Sequence, residues 1–283
     1  MIAKFPPYSD FNFISMYSWD VRSDMLLSNL DDNLVVRFRD YTSDKAFLSF
    51  IGETNVDDTI ISLLGYAGEN DLTPALHLIP EHVIDLIKDR SKFLIEEDRD
   101  SHDYIVLALN FSELEGKKYA SKRHGINKFL RTHENRAVIK KLNLDEKEAK
   151  EIVETFHKWR EESEKSVDET TNELLAIERL VEQAHHFNLR ALGIYVDDVM
   201  VAYSIYETQG EYAIGHFEKA LKSHPGLYDF LKHSTVVDLH KQGVKYVNYE
   251  QDLGIESLRQ SKLLLHPETF LKKYTVALAP VKN

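Results

Sequence analysis

Acid–base chemistry in this chain concentrates on two short stretches. Along Tyr212–Ala220, the two-residue period of an extended chain puts His216 and Glu218 on one face. Two titratable groups so placed could act as a general base and the partner that orients it. The plainer alternative is a solvated strand face, or an ion pair with Lys219 or Lys222. Along Lys245–Gln251 the same period puts Asn248 and Glu250 on one face, Tyr249 and Gln251 on the other. Glu250 and Asp252 fall just past the end of that strand, where loops carry function. Asp252 could equally cap a helix that opens near Ile255. Arg259 lies further on, with a guanidinium able to grip a phosphate or carboxylate through two parallel hydrogen bonds.

A second kind of chemistry is plain charge. The segment Leu114–Arg131 reads LEGKKYASKRHGINKFLR, and between Gly116 and Thr132 it holds Lys117, Lys118, Lys122, Arg123, Lys128 and Arg131 with no carboxylate. The whole chain is formally −12, so this segment runs against the local average. Wound as a helix, it places Lys117, His124, Lys128 and Arg131 on one stripe and Tyr119, Ile126, Phe129 and Leu130 on another. One side would dock while the other reads phosphates of tRNA or of an anionic lipid head group. Lys122 and Arg123 are expected outside the apolar stripe and exposed. Gly125 costs about 1 kcal/mol against alanine in a helix, so a close backbone approach is expected there. The alternative is a solvated amphipathic face.

These residues must be held by a sizeable scaffold. The 283 residues suffice for one large domain or two of ordinary size. A 43% hydrophobic and 29% charged composition is that of a soluble globular protein. The absence of cysteine excludes disulfides, thiolate metal ligands and a cysteine nucleophile. Thirteen histidines form no metal-ligand spacing: His185 and His186 are adjacent, His233 and His240 lie seven apart, and no His-Glu-x-x-His occurs. No metal is expected, and no phosphate-binding loop or hydrolase nucleophile elbow is present. No apolar run is long enough for a signal peptide or a membrane span, so a cytoplasmic protein is expected.

In chain order, Phe5–Trp19 is an aromatic-rich opening with a short helix. Strands follow at Leu34–Phe38 and Ala46–Ile51 around a polar turn at 40–44, then a helix from Asn55. A strand at Ala75–Ile79 leads through Pro80 into a helix with Val83, Ile84 and Ile87. Phe93–Ile95 and Tyr104–Leu109 are strands, the basic helix comes next, and Ala137–Lys141 is a strand. Asn143 with Glu146 has the pattern of a capping box for the next helix. Glu161–Glu169 reads as an exposed loop before a helix through Leu175 and Leu180. Three antiparallel strands follow at Leu189–Val196, Val199–Glu207 and Tyr212–Ala220. Pro225 opens a helix buried along Leu227, Phe230, Leu231, Val237 and Leu239, and Gly243 ends it. The chain closes with a strand at Lys245–Tyr249, a helix at Ile255–Leu264 and a strand at Phe270–Leu278.

From Val138 onward, that order is the element order of the GNAT acyltransferase fold, and the first half repeats it more loosely. The expected class is α+β with mixed sheets, in two GNAT-like halves: 1–111, and 112–283 with the active cleft. Four stretches carry a more specific likeness: LEGKKYASKRHGINKF, GHFEKA, PGLYDFL and YVNYEQDLGIESLRQSKLLLHP, with the opening SDFNFISMYSWD. Together they resemble the bacterial family grouped with the C-terminal domain of phosphatidylglycerol lysyltransferases, over nearly the whole chain. The resemblance implies a tandem GNAT fold and transfer of an aminoacyl group from aminoacyl-tRNA to an amine or hydroxyl. By position it implies roles for Lys117, Lys118, Lys122, Arg123 and Asn127, for His216 and Glu218, and for Asn248, Glu250, Asp252 and Arg259. Catalysis would fall to His216, Glu218 and Glu250, and substrate binding to the rest. The lysyltransferases also carry a membrane-embedded portion that this sequence lacks, which leaves open whether the acceptor is a phospholipid or a small molecule.

No bound cofactor is implied; the co-substrate would be aminoacyl-tRNA or acyl-CoA. Coenzyme A users in this fold cradle the pyrophosphate on backbone N–H groups at a glycine-rich turn before a helix. Here that turn is Leu221–Gly226, with one glycine and with Pro225 removing a donor. This favours the tRNA donor over the acyl-CoA alternative. A catalytically silent protein that binds a polyanion or partner through the basic helix is the other reading.

Overall fold

A computed structural model describes residues 4–40 and 45–280. In chain order it begins with α1 (Phe13–Trp19), β1 (Leu26–Leu30), β2 (Asn33–Arg39), β3 (Ala46–Ile51), α2 (Val56–Glu69), β4 (Leu76–Pro80), α3 (Glu81–Asp85) and β5 (Phe93–Glu97). Next come β6 (Asp103–Leu107), α4 (Ala108–Glu113), α5 (Ala120–Thr132), β7 (Ala137–Leu142), α6 (Glu146–Glu162) and α7 (Val167–Glu182). The chain continues with β8 (Leu189–Val196), β9 (Val199–Gln209), β10 (Tyr212–Ala220), α8 (Leu227–Lys241) and β11 (Tyr246–Asn248). It ends with α9 (Glu256–Leu263), β12 (Thr269–Leu271) and β13 (Lys273–Leu278).

The strands form two mixed sheets, ordered β1-β2-β3-β4-β13-β5 and β12-β6-β11-β10-β9-β8-β7. The chain passes between the sheets: β6 joins the second, and β13 returns to lie between β4 and β5 of the first. The final strand expected at Phe270–Leu278 is therefore two, broken at Lys272 and divided between the sheets. Most of the turn expected at 40–44 lies outside the described residues.

Both faces of the second sheet are covered, which is why its strands are continuously apolar rather than alternating. On one face, Phe129 of α5, Phe111 of α4 and Leu231 and Leu239 of α8 pack with Ala213 and Val247. On the other, Phe156 of α6 and Ile177 and Leu180 of α7 pack with Tyr203, Ile205 and Phe217. The first sheet holds Ile60 of α2 and Val83 of α3 against Phe50 and Leu76. Its opposite face is covered by the opening segment through Phe5, Tyr8, Phe11 and Met16. Ile14 of the same segment belongs to the core of the second sheet, so the N-terminus pins the halves together.

Local expectations shift by small amounts. Residues 161–169 are only a short break: Ser166 and Glu169 form a full capping box that starts α7 at Val167. Asp145, not Asn143, caps α6, because its side chain accepts from Glu148 N–H. Val236 rather than Val237 faces the core from α8.

Candidate active site

β10 and β11 run parallel but pair through only Tyr212–Tyr246, Ala213–Val247 and Ile214–Asn248. Two local features then part them. A bulge between Gly215 and Phe217 leaves His216 without a cross-strand partner. Past β11, Glu250 takes a left-handed backbone with φ 57°, a conformation that costs a non-glycine residue about 1 kcal/mol or more. Between the parted strands lies a cleft of about 170 Å³, lined among others by His216, Glu218, Lys219, Lys232, Glu250 and Lys262. Helix α9 supplies one wall through Leu258, Ser261 and Lys262, and none of its residues is fully buried.

Glu250 is held from behind. Asn248 is fully buried, and its Oδ1 accepts the Glu250 N–H at 2.7 Å. Its Nδ2 donates to Pro7 O at 2.8 Å and to Asp103 Oδ2 at 3.1 Å. With those atoms engaged, Asn248 shapes the turn instead of offering itself to a substrate. Asp103, also fully buried, accepts from Lys273 Nζ and Ser9 Oγ at 2.7 Å and from Ser9 N–H at 2.8 Å. Lys273 also pairs with Asp10, whose carboxyl is raised by burial against the pull of Lys273. This buried cluster joins the N-terminus, β6, β13 and the turn that carries Glu250.

Burial pushes the Glu250 carboxyl up; His216 and Lys262 pull it back, and it settles at about 7. Lys262 is pushed down by burial to about 8 against the opposing pull of Glu250. Its Nζ donates to Tyr249 O at 2.6 Å and to Gln251 O, which leaves one of its three donors for the cleft. His216 Nδ1 lies 3.9 Å from Glu250 Oε1. A carboxyl and an amine with values displaced toward neutrality, together in a cleft, have the properties of an acid–base site.

The bulge also corrects the expected alternation. His216 reaches Ser15 of α1 and Glu207 of β9, whereas Glu218 pairs with Lys232 of α8. Glu218 is thus neutralised on the opposite wall. Lys219 mirrors it, pairing with Glu173 at 2.6 Å beside the Trp159 ring. Asp252 is fully buried and Arg259 is spent on it, through Nε at 3.0 Å and Nη2 at 2.8 Å, with Asp100 taking a further bond. Burial alone would raise Asp252, but Arg259, Tyr104 and the Gly254 N–H outweigh it and hold the carboxyl at about 2. The expected substrate-binding role of Asp252 and Arg259 gives way to a structural one: they fasten the loop ahead of α9.

In the basic helix α5 the expected exposure is partly wrong. Lys122 is buried and pairs with Asp229 of α8 at 2.8 Å. Arg123 donates to the carbonyls of Leu114 and, at 2.8 Å, Gly116. Leu130, expected in the apolar stripe, is 43% exposed. The helix is therefore rotated so that Lys122 faces α8 with Tyr119, Ile126 and Phe129. Lys117, Lys118, His124, Asn127, Lys128 and Arg131 remain exposed. His266, just past α9, contacts Lys118 O at 2.8 Å, so the basic segment begins beside the cleft mouth.

The close approach expected at Gly125 is to Gly226, where α8 begins. A Cβ on Gly226 (φ 85°) would fall 2.0 Å from Gly125 O, and one on Gly125 would fall 2.2 Å from Asp229 Oδ2. Glu162 accepts from Ser223 N–H at 3.0 Å and His224 Nδ1 meets His133 Nε2 at 3.0 Å. In the turn where coenzyme A pyrophosphate would sit, Lys222, Ser223 and Pro225 are exposed, but the Ser223 N–H is already taken by Glu162.

Sequence reasoning missed Ser15, Glu207, Glu173 and Lys232 as neighbours of the site.

Two mixed sheets, the second opened by a bulge and a divergent parallel pair, define a tandem GNAT-like fold. The chain belongs to the family described as phosphatidylglycerol lysyltransferase, C-terminal, which matches residues 3–277. A conserved protein of unknown function from Bacteroides thetaiotaomicron is similar at 25% identity and a TM-score of 0.81, over 96% of this chain and 92% of that one. L-PGS from Bacillus licheniformis is similar in fold at 15% identity and a TM-score of 0.62, over 94% and 87%. FemX is similar at 6% identity and a TM-score of 0.64, over 98% and 94%. Family and fold support an acyl- or aminoacyl-transferase type in the coarse sense. Among the described residues, no helix is long and apolar enough to cross a membrane.

Proposed function

We propose that this chain transfers an aminoacyl group from aminoacyl-tRNA to an amine or hydroxyl acceptor. The observation that carries the reading is Glu250, fixed in the parted-strand cleft at about 7 beside His216 and Lys262. Near neutrality such a carboxylate can take the proton of an attacking amine or hydroxyl. The open donor of Lys262 can stabilise the oxyanion that forms at the ester carbonyl and then protonate the leaving ribose oxygen. The turn before α8, with the Ser223 N–H bonded to Glu162 and Pro225 lacking a donor, supports a donor other than coenzyme A. Exposed Lys117 and Lys118, which begin beside the mouth, with Lys128 and Arg131 further along α5, suit the phosphates of a tRNA. The acceptor is a lipid head group or a small molecule; the family name favours the first.

The test uses bulk tRNA charged with radiolabelled amino acids, offered with phosphatidylglycerol vesicles or with a panel of small amines. Label should move to an acceptor, and Glu250→Gln should cut the rate by about 10²-fold or more. Absence of transfer from every charged tRNA, or full activity in Glu250→Gln, would overturn the reading.

A further inference from the structure

The cleft is backed by a cluster of side chains that begins in α1, more than 190 residues before β10 in sequence. Asn12 caps α1: its Oδ1 accepts the Ser15 N–H at 3.0 Å, and its Nδ2 donates to Glu207 Oε1. The same Glu207 oxygen lies 3.4 Å from His216 Nε2. His216 Nδ1 lies 3.4 Å from Ser15 Oγ, which returns the cluster to α1. Ser15 Oγ also lies 3.5 Å from Glu250 Oε1. His216 and Ser15 are both buried, at 7% exposure, so these contacts are shielded from bulk water.

The directions of donation are restrictive. Glu207 and an ionised Glu250 can only accept. Ser15 O–H can donate to Glu250, and the His216 ring stands between Ser15 and Glu207, with its Nε2 3.4 Å from Glu207 but not hydrogen-bonded to it. A cap that served α1 alone would need neither Glu207 nor the His216 contact.

We propose that Ser15 and Glu207 are positioning residues that act through His216 to hold Glu250 ionised, ready to take the acceptor's proton. The inference rests on the transfer reading for its chemistry, although its electrostatic half can be tested without a substrate. In the reaction the acceptor nitrogen or oxygen bonds to the aminoacyl carbonyl carbon, and the ester C–O bond breaks. The acceptor's proton goes to Glu250, and the ribose oxygen takes one from Lys262. Glu250 then releases its proton to solvent. Lys262 is reprotonated by solvent. Besides His216, the charged groups bearing on Glu250 are Lys262 on α9, Asp103 on β6 and Asp10 before α1, with Lys232 of α8 acting on Lys262.

The substrate-free experiment labels glutamate carboxyls with ¹³C and follows Glu250 by NMR from pH 5 to 9, with Glu250→Gln supplying the assignment. In wild type the midpoint should fall at about 7. Glu207→Gln and Ser15→Ala should each move it upward. Ser15→Ala acts because a hydrogen bond to the ionised carboxylate is lost. Glu207→Gln acts by about one pH unit because the His216 charge that lowers Glu250 is no longer held beside it, which outweighs removal of a like charge. Ser15→Thr, which keeps the hydroxyl, should restore the wild-type midpoint. The acid limb of transfer from charged tRNA should move with it, lowering the rate at pH 6 about tenfold and leaving the plateau near pH 8.5. An unmoved Glu250 midpoint in folded Glu207→Gln and Ser15→Ala would overturn the inference whatever the activity. If either protein does not fold, Glu207→Asp, which keeps the charge but draws it back, is read in its place by the same criterion. A moved midpoint without any transfer by wild type would sink the transfer reading and keep the electrostatic cluster.

Discussion

Replacing Glu250 by glutamine should stabilise the protein, and only at the alkaline end of its range. The folded state holds this carboxyl at about 7, against an ordinary value of 4.5. Between those values the folded chain keeps a proton that the unfolded chain releases, so wild-type stability falls as pH rises and the loss is complete above about 7. The gap of about 2.5 units at roughly 1.4 kcal/mol per unit gives an upper bound of roughly 3 kcal/mol. The side chain is 22% exposed, and a neutral amide deprives Lys262 and His216 of their partner. About half the bound, ~1.5 kcal/mol, is the reasonable expectation. Urea denaturation at pH 5, 6, 7 and 8 should show Glu250→Gln within ~0.5 kcal/mol of wild type at pH 5 and more stable by ~1–2 kcal/mol at pH 8. The melting temperature at pH 8 should rise by roughly 3 °C. A variant less stable than wild type at pH 8 would refute the reasoning. Glu250 would then be an ordinary ion-pair carboxylate and a poor base at neutrality.

Other substitutions separate structural charges from available ones. Lys122→Met leaves Asp229 unpartnered against Gly125 and should cost ~1–3 kcal/mol in chemical denaturation. Lys128→Glu with Arg131→Glu should leave the melting temperature nearly unchanged but weaken tRNA binding several-fold in a filter assay, with a shallower salt dependence. Gly226→Ala should destabilise by several kcal/mol or prevent folding, because its Cβ would fall 2.0 Å from Gly125 O at a left-handed backbone. Calorimetry with coenzyme A should register no stoichiometric micromolar binding, since in the turn ahead of α8 Pro225 lacks a donor and the Ser223 N–H is taken by Glu162; such binding would reinstate the acyl-CoA donor.

The sequence by itself determined the order of elements and with it the fold class. Apolar runs at Leu189–Val196 and Val199–Glu207, the turns between them and the helical spacing of α6 and α8 are local properties of the chain, legible because strand and helix periods differ. The place of Glu250 just past a strand end was legible in the same way. Other assignments depended on contacts distant in sequence. Nothing near Lys122 announces that Asp229 will neutralise it, so its charge read as available when it is buried. Asn248, Asp252 and Arg259 looked like ligand-binding groups because their partners, Asp103, Pro7, Tyr104 and Asp100, lie more than 140 residues earlier. The bulge at His216 broke an alternation that simple strand periodicity assumes. Tertiary structure alone decided that Ser15 and Glu207 stand behind the cleft and that β13 returns to the first sheet. The physical reason is that local propensity sets which backbone forms, while the protonation and availability of a side chain depend on which distant groups close around it and how much water they exclude.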